Sequence, residues 1–313
     1  MKAMSCFSVR RLLLLSGLLA VPVSLAAGVF PLVLKHDFGG VSFARMPSRV
    51  VTLSEEQAEL LSVLGIRAVG FGSGRIEGRL GQRAQNLTTL ARSSLTEAVY
   101  VGAYDKPSAE LLAALRPDLI LMDGGDGSRT TFEAVRKLAP TLAYDYDTVP
   151  WRTALGDLGR LFGKSAQAAR YLQTYDTRMA SLKAGLAPVA RAAPNTTLLY
   201  MYEPGSVMVL GRGFSFSRTL SVLGLTLNTP AGIDPNISFK QLNAEELLSL
   251  KTDRVLILRR LNDGQLVPPN ATDTVLRRLG KPVYTYPLDP QEASSGPLTD
   301  LKRAEALAKL IRR

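Results

Sequence analysis

The chain has 313 residues, 38 lysines and arginines against 27 acids, a net charge of +11, one cysteine and one histidine. A single thiol excludes an internal disulfide and a thiolate metal site, and the lone imidazole, His36, has no G-x-S-x-G elbow to serve as the base of a serine hydrolase. The positive charges are scattered, with no basic stripe interleaved with aromatics; this excludes nucleic acid as a partner and leaves an anionic ligand or surface.

Lys2, Arg10 and Arg11 form a positive region ahead of an apolar stretch from Leu12 to Leu25, which is too short and wrongly flanked to span a membrane. Ser24 and Ala26 fit a cleavage site, so residues 1–27 are expected to be a signal peptide and the mature chain to begin near Ala27 or Gly28. Cys6 precedes the apolar stretch and no cysteine stands at the cleavage site, so a lipoprotein is not expected. Arg10-Arg11 raises a twin-arginine route, but Val9 and the leucine-rich stretch favour the general secretory one. The leader carries three positive charges and no acid, leaving +8 on the mature chain. That chain is long enough for two lobes of about 120 residues and a connector.

Val33 to Phe43 alternates around Phe38-Gly39-Gly40 and predicts a hairpin. Residues 50–53 predict a buried strand, and Ser54 is placed to cap a helix with Ala58, Leu60, Leu61 and Leu64 on its apolar face before Gly65 ends it. Strand and helix go on alternating through 68–71, 100–102, 108–115, 119–122 and 130–138, which predicts an α/β lobe with a parallel sheet over 28–150. The texture changes over 151–190. Trp151 to Phe162 is helical, Gly163 breaks it, and Ser165 to about Leu186 is the longest helical pattern, with Ala168, Ala169, Leu172, Tyr175, Met179 and Leu182 along one side. A polar, Ala/Pro-rich stretch at 187–195 follows. Over 191–313 the pattern predicts strands at 197–202, 207–210, 255–258 and 283–286, helices at 217–223 and 273–279, a loop at 262–272 and a last helix from about Pro297. The expected fold is α/β: two Rossmann-like lobes joined by one long α-helix, with a ligand cleft between them.

The two lobes carry a repeat. Residues 108–122 (SAELLAALRPDLILM) and 243–257 (NAEELLSLKTDRVLI) match at a constant shift of 135, with Ala109/Ala244, Glu110/Glu245, Leu112/Leu247, Leu115/Leu250, Asp118/Asp253 and Leu121/Leu256 identical. Each copy predicts a helix capped by Ser108 or Asn243, a tight turn and a buried strand. Each also presents an acid, Glu110 or Glu245, in a first helical turn, where the helix dipole favours it and an arginine can grip it in bidentate fashion. Glu246 is an alternative to Glu245.

RVVTL at 49–53, LGI at 64–66, VGAYDKPSAELLAALRPDLILMDG at 101–124, the long helix and VLGRGFSFSRTLSVLGL at 209–225 follow one another in a distinctive order. Together they resemble the helical-backbone class of periplasmic substrate-binding proteins, which deliver ferric siderophores, haem or cobalamin to ABC importers. The last segment is most similar to the ferric-siderophore binders. The resemblance implies a periplasmic, monomeric binding protein without catalytic activity. Its ligand would be a ferric siderophore; haem or cobalamin is the alternative, and a secreted two-lobe enzyme is the reading from another class. It further implies that iron arrives inside its chelator, with no cofactor of the protein's own, and that Glu110 and Glu245 form salt bridges with arginines of an inner-membrane permease.

Ligands of open parallel sheets lie beyond the carboxyl ends of the strands. In the first lobe this nominates loops 54–56, 72–79, 103–107 and 123–129, with Arg75, Tyr104, Lys106 and Arg129 as contacts. In the second lobe it nominates 203–206, 211–218, 236–240, 259–265 and 287–296, with Arg212, Phe214, Phe216, Arg218, Phe239, Arg259 and Arg260. Guanidinium forks and flat rings are what a large anionic chelate needs. Phe214 and Phe216 equally fit a core beside a helix start, and strand alternation lets at most one of Arg259 and Arg260 face the ligand. Gly72-Ser73-Gly74 with Gly78 matches neither a dinucleotide nor a phosphate loop. His36 is expected to be packed or exposed rather than a metal ligand. Asp123 and Asp126 read as turn formers, not as a catalytic carboxylate pair.

Overall fold

Capping and turn residues stand where the strands and helices change over. The computed structural model describes residues 30–74, 79–83, 90–145, 150–229, 239–262, 264–289 and 295–312; the expected leader and Arg75 lie outside them. β1 (Leu32–His36) and β2 (Gly39–Phe43) pair antiparallel. β3 (Val50–Thr52) leads into α1 (Glu55–Leu64), where the Ser54 hydroxyl accepts from the Gln57 N–H and Gly65 closes the helix in the left-handed region. The first lobe continues with β4 (Ala68–Gly72), α2 (Arg92–Leu95), β5 (Val99–Ala103), β6 (Lys106–Pro107) and α3 (Ala109–Leu115). β7 (Leu119–Asp123), α4 (Arg129–Val135) and β8 (Thr141–Tyr144) complete it. Its sheet runs β6-β5-β4-β3-β7-β8, parallel except for the short edge strand β6.

α5 (Trp151–Leu161) and α6 (Ser165–Ala192) lead to the second lobe. α6 is longer than the sequence suggests: 28 residues, running on through Gly185 and Pro188. Pro188 removes one helical N–H, but the helix end is held from outside. The buried Arg254 donates from Nη2 to the carbonyls of Val189 and Ala193, putting a cation at the negative end of the helix dipole.

The second lobe comprises β9 (Asn195–Met201), β10 (Met208–Leu210), α7 (Ser215–Val222), β11 (Thr226–Leu227), β12 (Phe239–Gln241) and α8 (Ala244–Leu248). β13 (Arg254–Asn262), β14 (Gln265–Leu266), α9 (Ala271–Arg278), β15 (Val283–Leu288) and α10 (Pro297–Ile311) follow. β9, β13 and β15 are parallel, but β10 and β12 join antiparallel, so this lobe has a mixed sheet rather than a purely parallel one. β13 also runs to Asn262 and turns back into β14, where the sequence suggests a loop.

The repeat is a structural one. Ser108 and Asn243 cap α3 and α8, accepting from the N–H groups of Leu111 and Glu246. Asp118 accepts from the backbone of Ser48 and Arg49, just before β3, and Asp253 accepts from the backbone of Asn195 at the start of β9. Each aspartate ties the strand of its copy to the lobe's central strand. Partial burial works against the charge of Asp118, but the bonds from Ser48 and Arg49 outweigh it and hold the carboxyl below its ordinary value.

The lobes share one core. Leu60 and Leu61 of α1, Leu155 and Leu158 of α5, Met179 and Leu186 of α6, Leu198 and Leu256 of the second sheet and Leu307 of α10 belong to a single buried cluster. Across this seam the Glu59 carboxylate of α1 accepts from the N–H groups of Leu298 and Thr299, at 2.8 and 3.0 Å, and from the Thr299 hydroxyl. A residue of the first lobe thus caps the last helix of the chain. Gly296 is required by proximity: a Cβ there would lie 2.2 Å from Glu59 Oε2.

Burial pushes Glu59 up to about 7 from an ordinary 4.5, the bonds from Thr299 and Leu298 opposing it only in part. The folded state therefore keeps a proton that the unfolded chain releases. This contribution is complete below about pH 4.5 and is lost as the pH rises through about 7, in total about 3 kcal/mol. Burial likewise raises Asp300 to about 6, adding in the same direction. Urea unfolding of the wild type is expected to show stability falling from pH 5 to pH 8, less steeply in Glu59→Gln. Glu59→Ala, which strands two buried N–H groups, is expected to cost about 2–5 kcal/mol at pH 5.

Candidate functional site

The carboxyl ends of the two sheets face each other. Glu56, in the first turn of α1, accepts from the backbone N–H of Ser295, which follows β15, at 3.2 Å. Trp151, beyond β8, donates from its indole nitrogen to Asp300 of α10 at 3.1 Å. The loops beyond these contacts border the cleft between the lobes.

The first-lobe wall has two adjoining concavities. One of 330 Å³ is lined by Glu55, Gly74, Tyr104 and Asp123. The other, of 230 Å³, is lined by Tyr104, Asp105, Met122, Asp123, Gly127, Ser128 and Thr131. Tyr104 is 45% exposed and lies against Gly74, where a Cβ would come within 2.9 Å of its ring. Glu55 accepts from the Ser73 hydroxyl. The hairpin buttresses this wall: Asp37 accepts from the N–H groups of Gly125 and Asp145, binding the exits of β7 and β8 together. Gly124 lies so close that a Cβ would fall 1.8 Å from the Asp37 carboxylate.

The nominated residues divide. Tyr104 is in the cleft, whereas Lys106 lines a separate 190 Å³ depression between α3 and α4. Arg129 lies 4.7 Å over the Phe38 ring, in a cation–π contact with the hairpin. His36 packs 5.3 Å from Phe132, with burial lowering its pKa, as a packed imidazole should. Arg212 is exposed in the turn after β10, and Phe239 is 57% exposed on the edge strand β12. Phe214 is half-buried, but Phe216 is fully enclosed between Tyr286 and the Arg303 guanidinium, so it belongs to the core. Arg218 donates to the Gly213 carbonyl and to Ser295, holding α7 to the approach of α10, and lines a 270 Å³ pocket with Trp151 and Tyr175.

Alternation separates Arg259 from Arg260. Arg259, 3% exposed, points to the α9 side, where it pairs with Asp273 and donates to the carbonyls of Val267 and Pro268. It is a structural residue. Arg260 points to the other face, near the Tyr200 phenol. Tyr200 and Tyr202, with ring centroids 5.8 Å apart, stand together at the carboxyl end of β9, a pair the sequence pattern did not single out. Tyrosines two apart at the carboxyl end of a buried strand were the available signal. Glu55 and Asp123 were missed as cleft carboxylates; Asp123 is the last residue of β7 rather than a turn former.

Glu110 and Glu245 are both exposed in the first turns of α3 and α8. Glu246 is committed elsewhere: it completes the capping box with Asn243 and pairs with Lys240 at 3.0 Å. Among the described residues, no group of three or more His, Cys, Asp or Glu is placed to hold a metal ion.

Residues 50–274 match the family model described as periplasmic binding protein. The chain belongs to this family. It is 28% identical over 236 residues, 73% of each chain, to the ferric enterobactin-binding periplasmic protein FepB of Escherichia coli O6:H1. It is also similar to the ferric-anguibactin-binding protein FatB of Vibrio anguillarum, 25% identical over 62% of this chain and 58% of that one. In fold it matches Staphylococcus aureus SirA complexed with staphyloferrin B, with a TM-score of 0.67 at 19% identity over 90% of this chain and 98% of that one.

Arg259→Met is expected to destabilise the fold by about 3–5 kcal/mol, because Asp273 is left buried without its partner. The same variant is expected to leave the affinity of any cleft ligand unchanged. Chemical denaturation beside calorimetric titration checks both.

Proposed function

We propose that the protein captures a ferric siderophore in the cleft and presents it to an ABC permease. The observation that carries this reading is the matched pair of lobes: equivalent helices offer Glu110 and Glu245 to solvent, and the facing strand ends leave a cleft for a ligand. A receptor that must be read by a membrane partner needs both surfaces. The relatives that bind ferric siderophores by name, FepB and FatB, support the choice of ligand.

Iron enters only within its chelator, as the ferric-siderophore-binding relatives suggest. The protein acts as a monomer and turns nothing over. It is exported by its signal peptide to the periplasm and is not a lipoprotein. Glu110 and Glu245 dock on permease arginines, each in a geometry that a bidentate guanidinium can meet. The shared core and the Glu59 contact restrict the lobes to small hinge movements, so the permease reads a modest tilt together with the two acids.

Titration of the mature protein with a panel of ferric siderophores, haem, cobalamin and free iron tests the ligand. The expected result is saturable submicromolar quenching by one ferric siderophore class and none by free iron; binding of haem or cobalamin alone overturns it. Trp151, the only tryptophan, reports the hinge, and Tyr104 reports the cleft wall. Charge reversal at both Glu110 and Glu245 is expected to abolish uptake by cells while leaving affinity unchanged. Uptake that survives refutes the docking assignment.

A further inference from the structure

Glu110 does not stand alone on its face of the first lobe. Beside it, a depression of 190 Å³ lies between α3 and α4. Leu112 and Val135, both buried, supply its deep part, and the exposed Ala109, Ala134 and Leu138 supply its sides. Ala109 immediately precedes Glu110 in the first turn of α3, and Leu138 keeps 39% of its surface exposed. The recess is therefore largely apolar, open to solvent and continuous with the acid.

The repeat brings out a difference between the lobes. In the second lobe Glu245 is followed one turn later by Leu248, 48% exposed, where the first lobe has Ala113 after Glu110. There α8 packs directly on α9, and Val275 and Leu279 lie against the cluster that holds Leu247 and Leu250. The first lobe thus offers a recess beside its acid, and the second a protruding leucine beside its own.

An exposed arginine–carboxylate pair is screened by salt and contributes little by itself. Protein contacts take most of their energy from a few side chains seated in pockets, with charged groups at the rim. Glu110 at the edge of an apolar recess has that arrangement. A partner that fits it carries a cation for the acid and an apolar side chain next to that cation.

We propose that the recess between α3 and α4 receives one apolar side chain of the permease, from the segment whose arginine pairs with Glu110, and that Leu248 is the matching anchor on the second lobe. The inference rests on the permease-docking reading above and deepens it. The two acids are equivalent but their apolar neighbours are not, so the neighbours give the docked complex a single orientation.

Uptake of radioactive iron tests it, in cells carrying each variant as the only copy of the protein. The iron is supplied as ferric enterobactin, or as the panel member that binds if that complex does not. Ala134→Glu, which puts an acid into the recess, is expected to lower uptake at least about 10-fold, the effect of losing one interface anchor. Ala109→Gln, which narrows the recess from the α3 side, is expected to act in the same direction and answers for Ala134→Glu if that variant fails to fold. Leu248→Asp is expected to lower uptake about 3- to 10-fold. Lys137→Gln, at an exposed position that does not line the recess, is expected to leave it unchanged. Calorimetric titration of each variant is expected to give the wild-type affinity for the ferric complex, so that lost uptake belongs to docking. Wild-type uptake in both recess variants, where charge reversal at Glu110 and Glu245 abolishes it, overturns the recess and leaves the permease reading standing. Wild-type uptake in Leu248→Asp overturns the second anchor. Uptake that survives the charge reversal removes the docking face, and this inference falls with it. If no ferric siderophore of the panel binds, the transport reading falls and takes this inference too.

Discussion

A carboxylate from one lobe closing a helix of the other is the constraint on which this architecture depends. Glu59 sits on the first helix of the first lobe, yet its oxygens satisfy the N–H groups that open α10, 240 residues later at Thr299. Leaving those donors buried and unpaired would cost more than the net gain from an ordinary hydrogen bond. The contact therefore fixes where α10 starts, and α10 in turn packs on α6, α7 and β15. Gly296 lacks a side chain because the carboxylate occupies that space.

That seam decides how the cleft behaves. Two lobes with separate cores would swing freely about a single crossing. Here the apolar cluster passes from the first sheet through α1, α5, α6 and α10 into the second, so wide opening would expose part of the core. Tyr171 adds a bond to the Pro297 carbonyl, and Arg178 pairs with Glu305, both between α6 and α10.

The walls differ in chemistry because they are built differently. The first is made of loops braced by the hairpin carboxylate Asp37, and it presents Tyr104 with the acids Glu55 and Asp123. The second is made of strand ends, where alternation sends Arg259 inward to Asp273 and Arg260 toward Tyr200.

Local order determined much of this protein. The caps at Ser54, Ser108 and Asn243, the stop at Gly65, the strand periodicity and the repeat at 108–122 and 243–257 depend on contacts within a few residues, so the elements and the two-lobe plan were legible. The choice between Glu245 and Glu246 needed the capping box to be seen formed. What only the tertiary structure decided depends on contacts distant in the chain. The extension of α6 past Pro188 requires Arg254, more than sixty positions on, to receive its last carbonyls. The antiparallel flank of the second sheet follows from pairing partners, not from strand periodicity, which is the same in either direction. Phe216 and Arg259 carry side chains as suitable for a ligand as Tyr202 and Arg260 do; which of them meets solvent depends on which face of the strand or helix is covered by α9 and α10. Burial is a property of the assembled fold, and no residue's own chemistry states it.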